Sequence, residues 1–240
     1  MGRFGLGLCG AAALLLSACA STPPLGGAPG LTVLDTAALP APEGVQAGSP
    51  TRPYLIGPGD ELLVDVLGFD ELKERKISTD GEGRFTLPLA GTVEADGLTV
   101  TEVRDRIIMQ MKANYVREPI VSVNLSDPRS RHVTVDGEVK KPGNYPVVGR
   151  MTLMEAVARA EGADEYAKLS DVVVFRTVGE SRYAALYNLA AIRRGAYPDP
   201  EIFPDDIVVV GESMGRRMFQ TLVQAGTLIA RPIIALIQRQ

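Results

Sequence analysis

The sequence has no tryptophan, one histidine and two cysteines among its 240 residues. With 25 Gly and 17 Pro as well, this composition favours one medium domain or two small ones with modest cores. A histidine-bearing catalytic triad would have to be built around His132, which lies at the head of a predicted strand, so we interpret His132 as structural. The sequence also lacks a Walker-type loop, Cys/His metal spacing and a Gly-x-Ser-x-Gly elbow. It therefore offers no candidate catalytic constellation, and we predict no cofactor and no metal site.

Basic residues do not outnumber acidic ones: 25 Lys and Arg stand against 29 Asp and Glu, a formal net charge of −4 at pH 7. The basic footprint of a nucleic-acid-binding protein is therefore absent. Two carboxylate pairs, Asp60-Glu61 and Asp205-Asp206, could be mistaken for acid/base pairs. Each pair follows a Pro-containing turn, where Asp caps backbone N–H groups, and we prefer this structural interpretation. Both turns precede an apolar, strand-like run, so they look like one device used twice.

The N-terminal residues 1–18 have the pattern of a secretion signal, with Arg3 followed by a Gly/Ala/Leu run. The apolar span at residues 4–16 is too short to cross a bilayer, which takes about 20 apolar residues, so cleavage is expected. The run ends in Leu16-Ser17-Ala18-Cys19, which resembles the bacterial lipobox, where the Cys is lipidated and becomes the mature N-terminus. Cys19 is thus the predicted lipidation site. A disulfide is disfavoured because Cys9 would be removed with the signal.

Composition divides the region that follows into a tether and a folded domain. Residues 19–52 are rich in Pro and Gly and are predicted to be a tether. Residues 53–127 contain short strand-like runs between turn signals, and Thr99 with Glu102 has the spacing of a capping box at a helix start. We therefore predict a small β-rich domain with one helix.

A second β-rich domain is predicted at residues 128–211. Thr152 and Glu155 have the spacing of another capping box, and two strand-like runs flank Gly179 as a hairpin. The predicted fold class is α+β, with two small β-rich domains followed by a C-terminal amphipathic helix.

The C-terminal residues 212–240 show no strand pattern, and a helical wheel places their polar side chains mostly within a narrow arc. A helix of about 20 residues spans ~30 Å, close to the thickness of a hydrocarbon core. A lone helix of this kind would expose polar side chains to lipid, whereas a ring of helices would turn each polar stripe towards a water-filled lumen. The predicted lumen-facing stripe consists of Gln220, Gln224, Thr227 and Arg231. Periodicity alone leaves open a helix packed on its own domain or lying flat on a membrane.

Several motifs resemble the bacterial outer-membrane polysaccharide export family (Wza-like). The resemblance to its export domain lies in Tyr54-Leu55-Ile56-Gly57-Pro58-Gly59-Asp60-Glu61-Leu62, Asp80-Gly81, Leu87-Pro88-Leu89-Ala90-Gly91 and Gly97-Leu98-Thr99. The second domain looks like a soluble-ligand-binding β-grasp (SLBB) module in Val133-Thr134-Val135-Asp136-Gly137-Glu138-Val139 and Pro142-Gly143-Asn144-Tyr145. It departs from that pattern in having Glu161-Gly162 where a double Gly is usual. The layout is similar to the short form of the family, with one SLBB module, that serves xanthan export.

The resemblance implies a homo-oligomeric ring, commonly of eight subunits, that is lipid-anchored in the outer membrane with its domains in the periplasm. It implies an inner-membrane polysaccharide copolymerase as partner, C-terminal helices that form an outer-membrane barrel, and polysaccharide in transit. The expected function is export of capsular or extracellular polysaccharide to the cell surface, without enzymatic activity. The alternative is a periplasm-facing lipoprotein that binds glycan or scaffolds an envelope complex without forming a pore. A polysaccharide-modifying enzyme is a distant third.

Overall fold

The computed structural model describes residues 24–34, 39–42, 52–114, 116–213 and 215. Residues Ala28–Glu212 form one compact unit of strands and short helices, and the predicted α+β class is confirmed. In chain order the described strands are β1 (Leu31–Leu34), β2 (Glu61–Val66), β3 (Arg75–Ser78), β4 (Arg84–Leu87), β5 (Gly91–Glu94), β6 (Val121–Asp127), β7 (His132–Gly137), β8 (Gly143–Pro146), β9 (Met151–Thr152), β10 (Ala167–Val178), β11 (Ser181–Tyr187), β12 (Glu201–Ile202) and β13 (Ile207–Glu212). The described α-helices are α1 (Val100–Ala113), α2 (Leu153–Arg159) and α3 (Leu189–Arg193).

The first module, residues 52–127, has its own hydrophobic core. Its three-stranded sheet has the order β3-β2-β6, and β4 and β5 form a separate hairpin. Helix α1 buries Val103, Ile107 and Met111, which recur every four residues and so share one face. The predicted capping box is confirmed, because Thr99 accepts from the N–H of Glu102 while the Glu102 carboxylate accepts from the N–H of Thr99.

The second module, residues 128–212, is built on a six-stranded sheet of order β1-β11-β10-β13-β7-β8. Helices α2 and α3 pack with the inward-facing residues of this sheet in a second hydrophobic core. The predicted hairpin around Gly179 is confirmed as β10 and β11, which pair from Val178↔Ser181 onwards. Only one of the two hydrogen bonds of the second capping box is present. The Thr152 hydroxyl accepts from the N–H of Glu155, but the Glu155 carboxylate pairs with Arg159 one turn further on and not with the N–H of Thr152.

Part of the predicted tether is a strand. β1 lies parallel to β11, with Leu31 opposite Arg182 and Leu34 opposite Ala185, and Leu39 packs against the second core. Leu31-Thr32-Val33-Leu34 is a short β-forming run inside a Pro- and Gly-rich segment. The average composition of that segment conceals the run, and the open edge of β11 offers it a hydrogen-bonding partner.

On the face of the six-stranded sheet that points away from the second core, the strands β1, β11, β10 and β13 carry apolar side chains. Side chains in register form two rows on this face, one across four strands and one across three, and we call them the apolar rows. At the β7 side the same face becomes polar, with Thr134 next to Ile207 and Asp136 next to Val209. The strands of a sheet with one solvated face ordinarily alternate apolar and polar residues, so these rows are unusual. The apolar rows consist of Val33, Ala184, Phe175 and Ile207 in one, and of Leu186, Val173 and Val209 in the other.

Replacing Glu161 by Gly is expected to stabilise the protein. Glu161 has φ 62° and precedes Gly162 at φ 87°, so a residue with a Cβ adopts a left-handed conformation just after α2. Relief of this strain should raise the free energy of unfolding by about 0.5–1 kcal/mol, measured by urea denaturation. Loss of the exposed Lys141–Glu161 ion pair should cost little. The control is Glu118→Gly in an exposed segment, which should not stabilise; equal stabilisation by both variants would contradict the explanation.

Candidate functional site at the module junction

The residues predicted to be lipidated (Cys19) or to face a lumen (Gln220, Gln224, Thr227 and Arg231) lie outside the described residues, so both assignments stay predictions. Within the described ranges, the buried polar or charged side chains are those of Asp60, Thr79, Arg176 and Asp206. They form two networks that flank residues 129–132, which connect β6 of the first module to β7 of the second and which we call the linker. In the described part of the chain no helix is long and apolar enough to cross a membrane.

The first network centres on the Asp60 carboxylate, which is fully buried. Its Oδ2 accepts from the backbone N–H of Gly57 at 2.8 Å, which closes the turn before β2. Its Oδ1 accepts from the backbone N–H groups of Arg129 and Ser130, both at 2.7 Å. The Ser130 hydroxyl, at 2.8 Å, and the Tyr54 hydroxyl, at 2.9 Å, complete the shell. A turn at the start of the first module is thus bonded directly to the linker 69 residues later.

The protonation states of this network follow from its hydrogen bonds. Burial alone would raise the pKa of Asp60, but N–H donation from Gly57, Ser130 and Arg129 outweighs burial and holds that pKa below its ordinary 3.8. Burial raises the pKa of Tyr54 to about 12. At neutral pH Asp60 is therefore an anion that only accepts, and Tyr54 keeps the proton that it donates.

Two small residues fix the shape of the Asp60 turn. The hydroxyl of Thr79 donates to the carbonyl oxygen of Gly57 at 2.8 Å, and its N–H donates to the carbonyl oxygen of Asp60 at 2.9 Å. A Cβ on Gly57 would lie 2.7 Å from the Cβ of Ser130. Only glycine therefore lets the turn approach the linker this closely.

The second network, on the other side of the linker, contains the same kind of Asp-capped turn. Asp206 accepts from the backbone N–H of Phe203 at 2.8 Å, three residues earlier, as Asp60 does from Gly57. The next residue back in each turn has positive φ, 68° at Asp205 and 82° at Gly59. The N–H of Asp205 donates to the carbonyl oxygen of His132 at 2.8 Å. The prediction that both Asp residues cap backbone N–H groups is confirmed, and the two turns hold the linker from both ends.

Two arginines, Arg176 and Arg52, join the second network to the start of the first module. Arg176 donates to both carboxylate oxygens of Asp206, at 2.9 and 2.7 Å. Burial raises the pKa of Asp206, and this bidentate pair offsets part of the effect. The guanidinium carbons of Arg52 and Arg176 both lie 4.4 Å from the ring centroid of Phe203, within cation–π range. Arg52 also pairs with Glu201 at 3.0 Å.

Sequence reasoning missed Arg52, Arg176 and Phe203. Arg176 carried a usable signal, because it occupies an inward-facing position at the end of the alternating run of β10. A charged residue at a core position implies a buried partner. The partner, Asp206, is 30 residues further along the chain, and no local pattern connects the two.

A cavity of about 240 Å³ lies at this junction. The linker enters its wall through Arg131, whose Nε donates to the carbonyl oxygen of Leu55 at 2.8 Å. No group of three or more His, Cys, Asp or Glu among the described residues is placed to hold a metal ion. The lining residues are Pro42, Arg52, Pro53, Tyr54, Leu55, Arg131, Val147, Gly149, Phe203, Pro204 and Asp205.

Comparison with known families gives a match on each side of the linker. The profile described as polysaccharide biosynthesis/export protein matches residues 48–126, and the SLBB domain profile matches residues 132–184. The chain belongs to the polysaccharide export family. Its members are export and transport proteins, and the short gap between the two matches overlaps the linker that Asp60 and Asp205 hold.

Three relatives illustrate the likeness. The chain is 38% identical over 114 residues to the EPS I polysaccharide export outer membrane protein EpsA of Ralstonia solanacearum, which covers 47% of this chain and 29% of that protein. It is 31% identical over 80 residues to the exopolysaccharide production protein ExoF of Rhizobium meliloti (strain 1021), covering 33% and 19%. It is 27% identical over 124 residues to the polysialic acid transport protein KpsD of Escherichia coli, covering 51% and 22%. The match spans less than a third of each relative.

Replacing Asp60 by Asn is expected to lower the free energy of unfolding at pH 7 by about 2–4 kcal/mol, because an amide offers one acceptor oxygen to the donors that the carboxylate satisfies with two. In the wild type the charged carboxylate stabilises the fold above pH 3.8, and this contribution is lost as the pH falls through the lower pKa of the folded state. Urea denaturation at pH 7 and pH 3 should therefore show the deficit shrinking in acid. Asp65→Asn, on the adjacent strand, should cost little; a deficit of equal size at both pH values would contradict the prediction.

Proposed function

We propose that this protein is an outer-membrane lipoprotein whose copies assemble into a channel for export of capsular or extracellular polysaccharide. The observation that carries the proposal is the domain order: an export domain matched at residues 48–126 is followed directly by an SLBB domain at residues 132–184. Relatives named for polysaccharide export, exopolysaccharide production and polysialic acid transport support a polysaccharide cargo.

In the proposed arrangement the lipid on Cys19 anchors the chain, and two domains, at residues 53–127 and 128–211, lie in the periplasm. The C-terminal helix carries Gln220, Gln224, Thr227 and Arg231 towards a lumen. These side chains would bind sugar hydroxyls only weakly, as transit requires, because a polymer must leave each position as readily as it enters. An inner-membrane polysaccharide copolymerase would supply the polymer from below.

The proposed function includes no catalysis. Both oxygens of each buried carboxylate, Asp60 and Asp206, accept hydrogen bonds. The donors are backbone N–H groups of the turns and the linker and the guanidinium of Arg176. A general acid or base needs a free oxygen within hydrogen-bond reach of the substrate. Neither residue has one, so neither is placed to act as a general acid or base.

The apolar rows support assembly from several copies. Leu186 is 51% exposed and Val33 37% exposed, Val173, Phe175, Ile207 and Val209 are partly exposed, and Ala184 is buried. Strands lie about 4.8 Å apart and same-face residues about 7 Å apart along a strand, so the seven positions of the two rows cover on the order of 250 Å². A stable interface needs about 800 Å² from each partner. The rows are thus large enough for the apolar centre of a contact with a second copy, and neighbouring polar surface would complete it.

Replacing Leu186 by Asp is expected to break this contact. The side chain is half exposed on β11, so the change should leave the fold of one copy intact while placing a charge in the interface. Size-exclusion chromatography with light scattering on detergent-extracted protein should shift most of the protein from oligomer to monomer. Thr177→Asp is the matched control, since Thr177 is exposed on the same face beyond the rows and should not alter assembly. An unchanged oligomer in the Leu186 variant would exclude this face.

The channel proposal predicts that the C-terminus reaches the cell surface. A Cys added after Gln240 should react with a membrane-impermeant thiol reagent on intact cells, detected by mass shift, because the helix would carry it across the outer membrane. Glu180→Cys, at the exposed tip of the β10–β11 hairpin, is the control and should react only after the outer membrane is permeabilised. If the C-terminal Cys behaves like this control, the pore is wrong and a periplasmic scaffold is favoured.

A further inference from the structure

The junction cavity has an unusual electrostatic feature at Arg131. Its Nε is engaged by the carbonyl oxygen of Leu55, and Arg131 is half-buried. Among the described residues no carboxylate lies within ion-pair distance of it, whereas Arg52 in the same wall pairs with Glu201. A partly buried guanidinium without a counter-ion is unfavourable. The fold therefore holds a cation at the cavity wall that has no ion-pair partner among the described residues.

The remaining edge of this guanidinium suits a planar anion. With Nε bound to the protein, the two Nη atoms stay available, and their parallel N–H groups match the two oxygens of a carboxylate. The backbone bond to Leu55 fixes the side chain beforehand, which lowers the entropy lost on binding.

The other walls suit a sugar. Pro53, Tyr54 and Pro204 give an apolar surface against which the C–H face of a pyranose ring can pack. Asp205 is exposed at the rim, and its carboxylate can accept hydrogen bonds from hydroxyl groups. The cavity, at about 240 Å³, is smaller than the ~300–1,000 Å³ typical of sites for drug-sized ligands. It therefore fits one sugar residue and not a longer segment.

We propose that this cavity binds a uronic acid residue, with Arg131 pairing to its carboxylate and Asp205 to its hydroxyls. The inference rests on the proposed export function and adds a substrate class to it: an acidic polysaccharide. A single charged contact at an open cavity gives weak, reversible binding, which is compatible with a polymer that passes by.

The test uses the full-length lipidated protein in detergent micelles and two probes that differ only at C6 of each sugar residue. The cellouronic acid trisaccharide has a carboxylate at C6 of each residue, where cellotriose has a hydroxymethyl group. Titration followed by saturation-transfer NMR should show binding of the acidic probe and at least tenfold weaker binding of the neutral one. Arg131→Gln should weaken binding of the acidic probe by roughly tenfold or more, because it removes a charge-assisted bidentate pair.

Two further variants separate recognition from folding. Arg131→Lys keeps the charge without the two-pronged geometry and should bind with intermediate affinity. Arg104→Gln removes the same charge from the exposed surface of α1 and should bind like the wild type. Thermal melting checks that each variant is folded. Equal binding of both probes, no binding of either, or unchanged binding by folded Arg131→Gln would each overturn the inference.

Secretion assays distinguish failure of this inference from failure of the proposed function. If cells without the protein still secrete polymer, the export role is wrong regardless of what the cavity binds. If secretion depends on the protein but folded Arg131→Gln binds the acidic probe as the wild type does, only the uronic acid site is wrong.

Discussion

Five donors converge on the Asp60 carboxylate: the hydroxyls of Tyr54 and Ser130 and the N–H groups of Gly57, Arg129 and Ser130. A buried carboxylate costs several kcal/mol unless its oxygens are fully hydrogen-bonded. Here three of the five donors belong to the linker. The first module therefore cannot complete its own turn without fixing the start of the segment that leads to the second module.

The Asp206 turn imposes the same constraint from the other side. It holds the linker at His132, and its arginine partner, Arg176, contacts the Phe203 ring that Arg52 of the first module also contacts. Contacts of the Asp60 turn with the linker, and of Arg52 with Phe203, therefore join the two modules. In a conduit built from repeated copies, such contacts would keep the two modules of each subunit in the same arrangement.

Local patterns predicted much of this fold. The Thr99 capping box, the hairpin around Gly179 and the role of both Asp turns follow from residues close together in sequence, whose geometry depends on neighbouring backbone atoms. Long-range features escaped prediction. β1 pairs with a strand about 150 residues away, and the Arg176–Asp206 pair and the apolar rows depend on strand order. Strand order is a property of the whole sheet and cannot be read from one segment.

If several copies of this chain form one conduit, each with its two modules joined at the linker, the assembly should be visible as a ring. Particle imaging of the lipidated protein, extracted from membranes in mild detergent, would test this. We expect closed rings around a central opening, with both modules in the same relative orientation in every subunit. Monomeric particles in well-expressed, lipidated protein would contradict it.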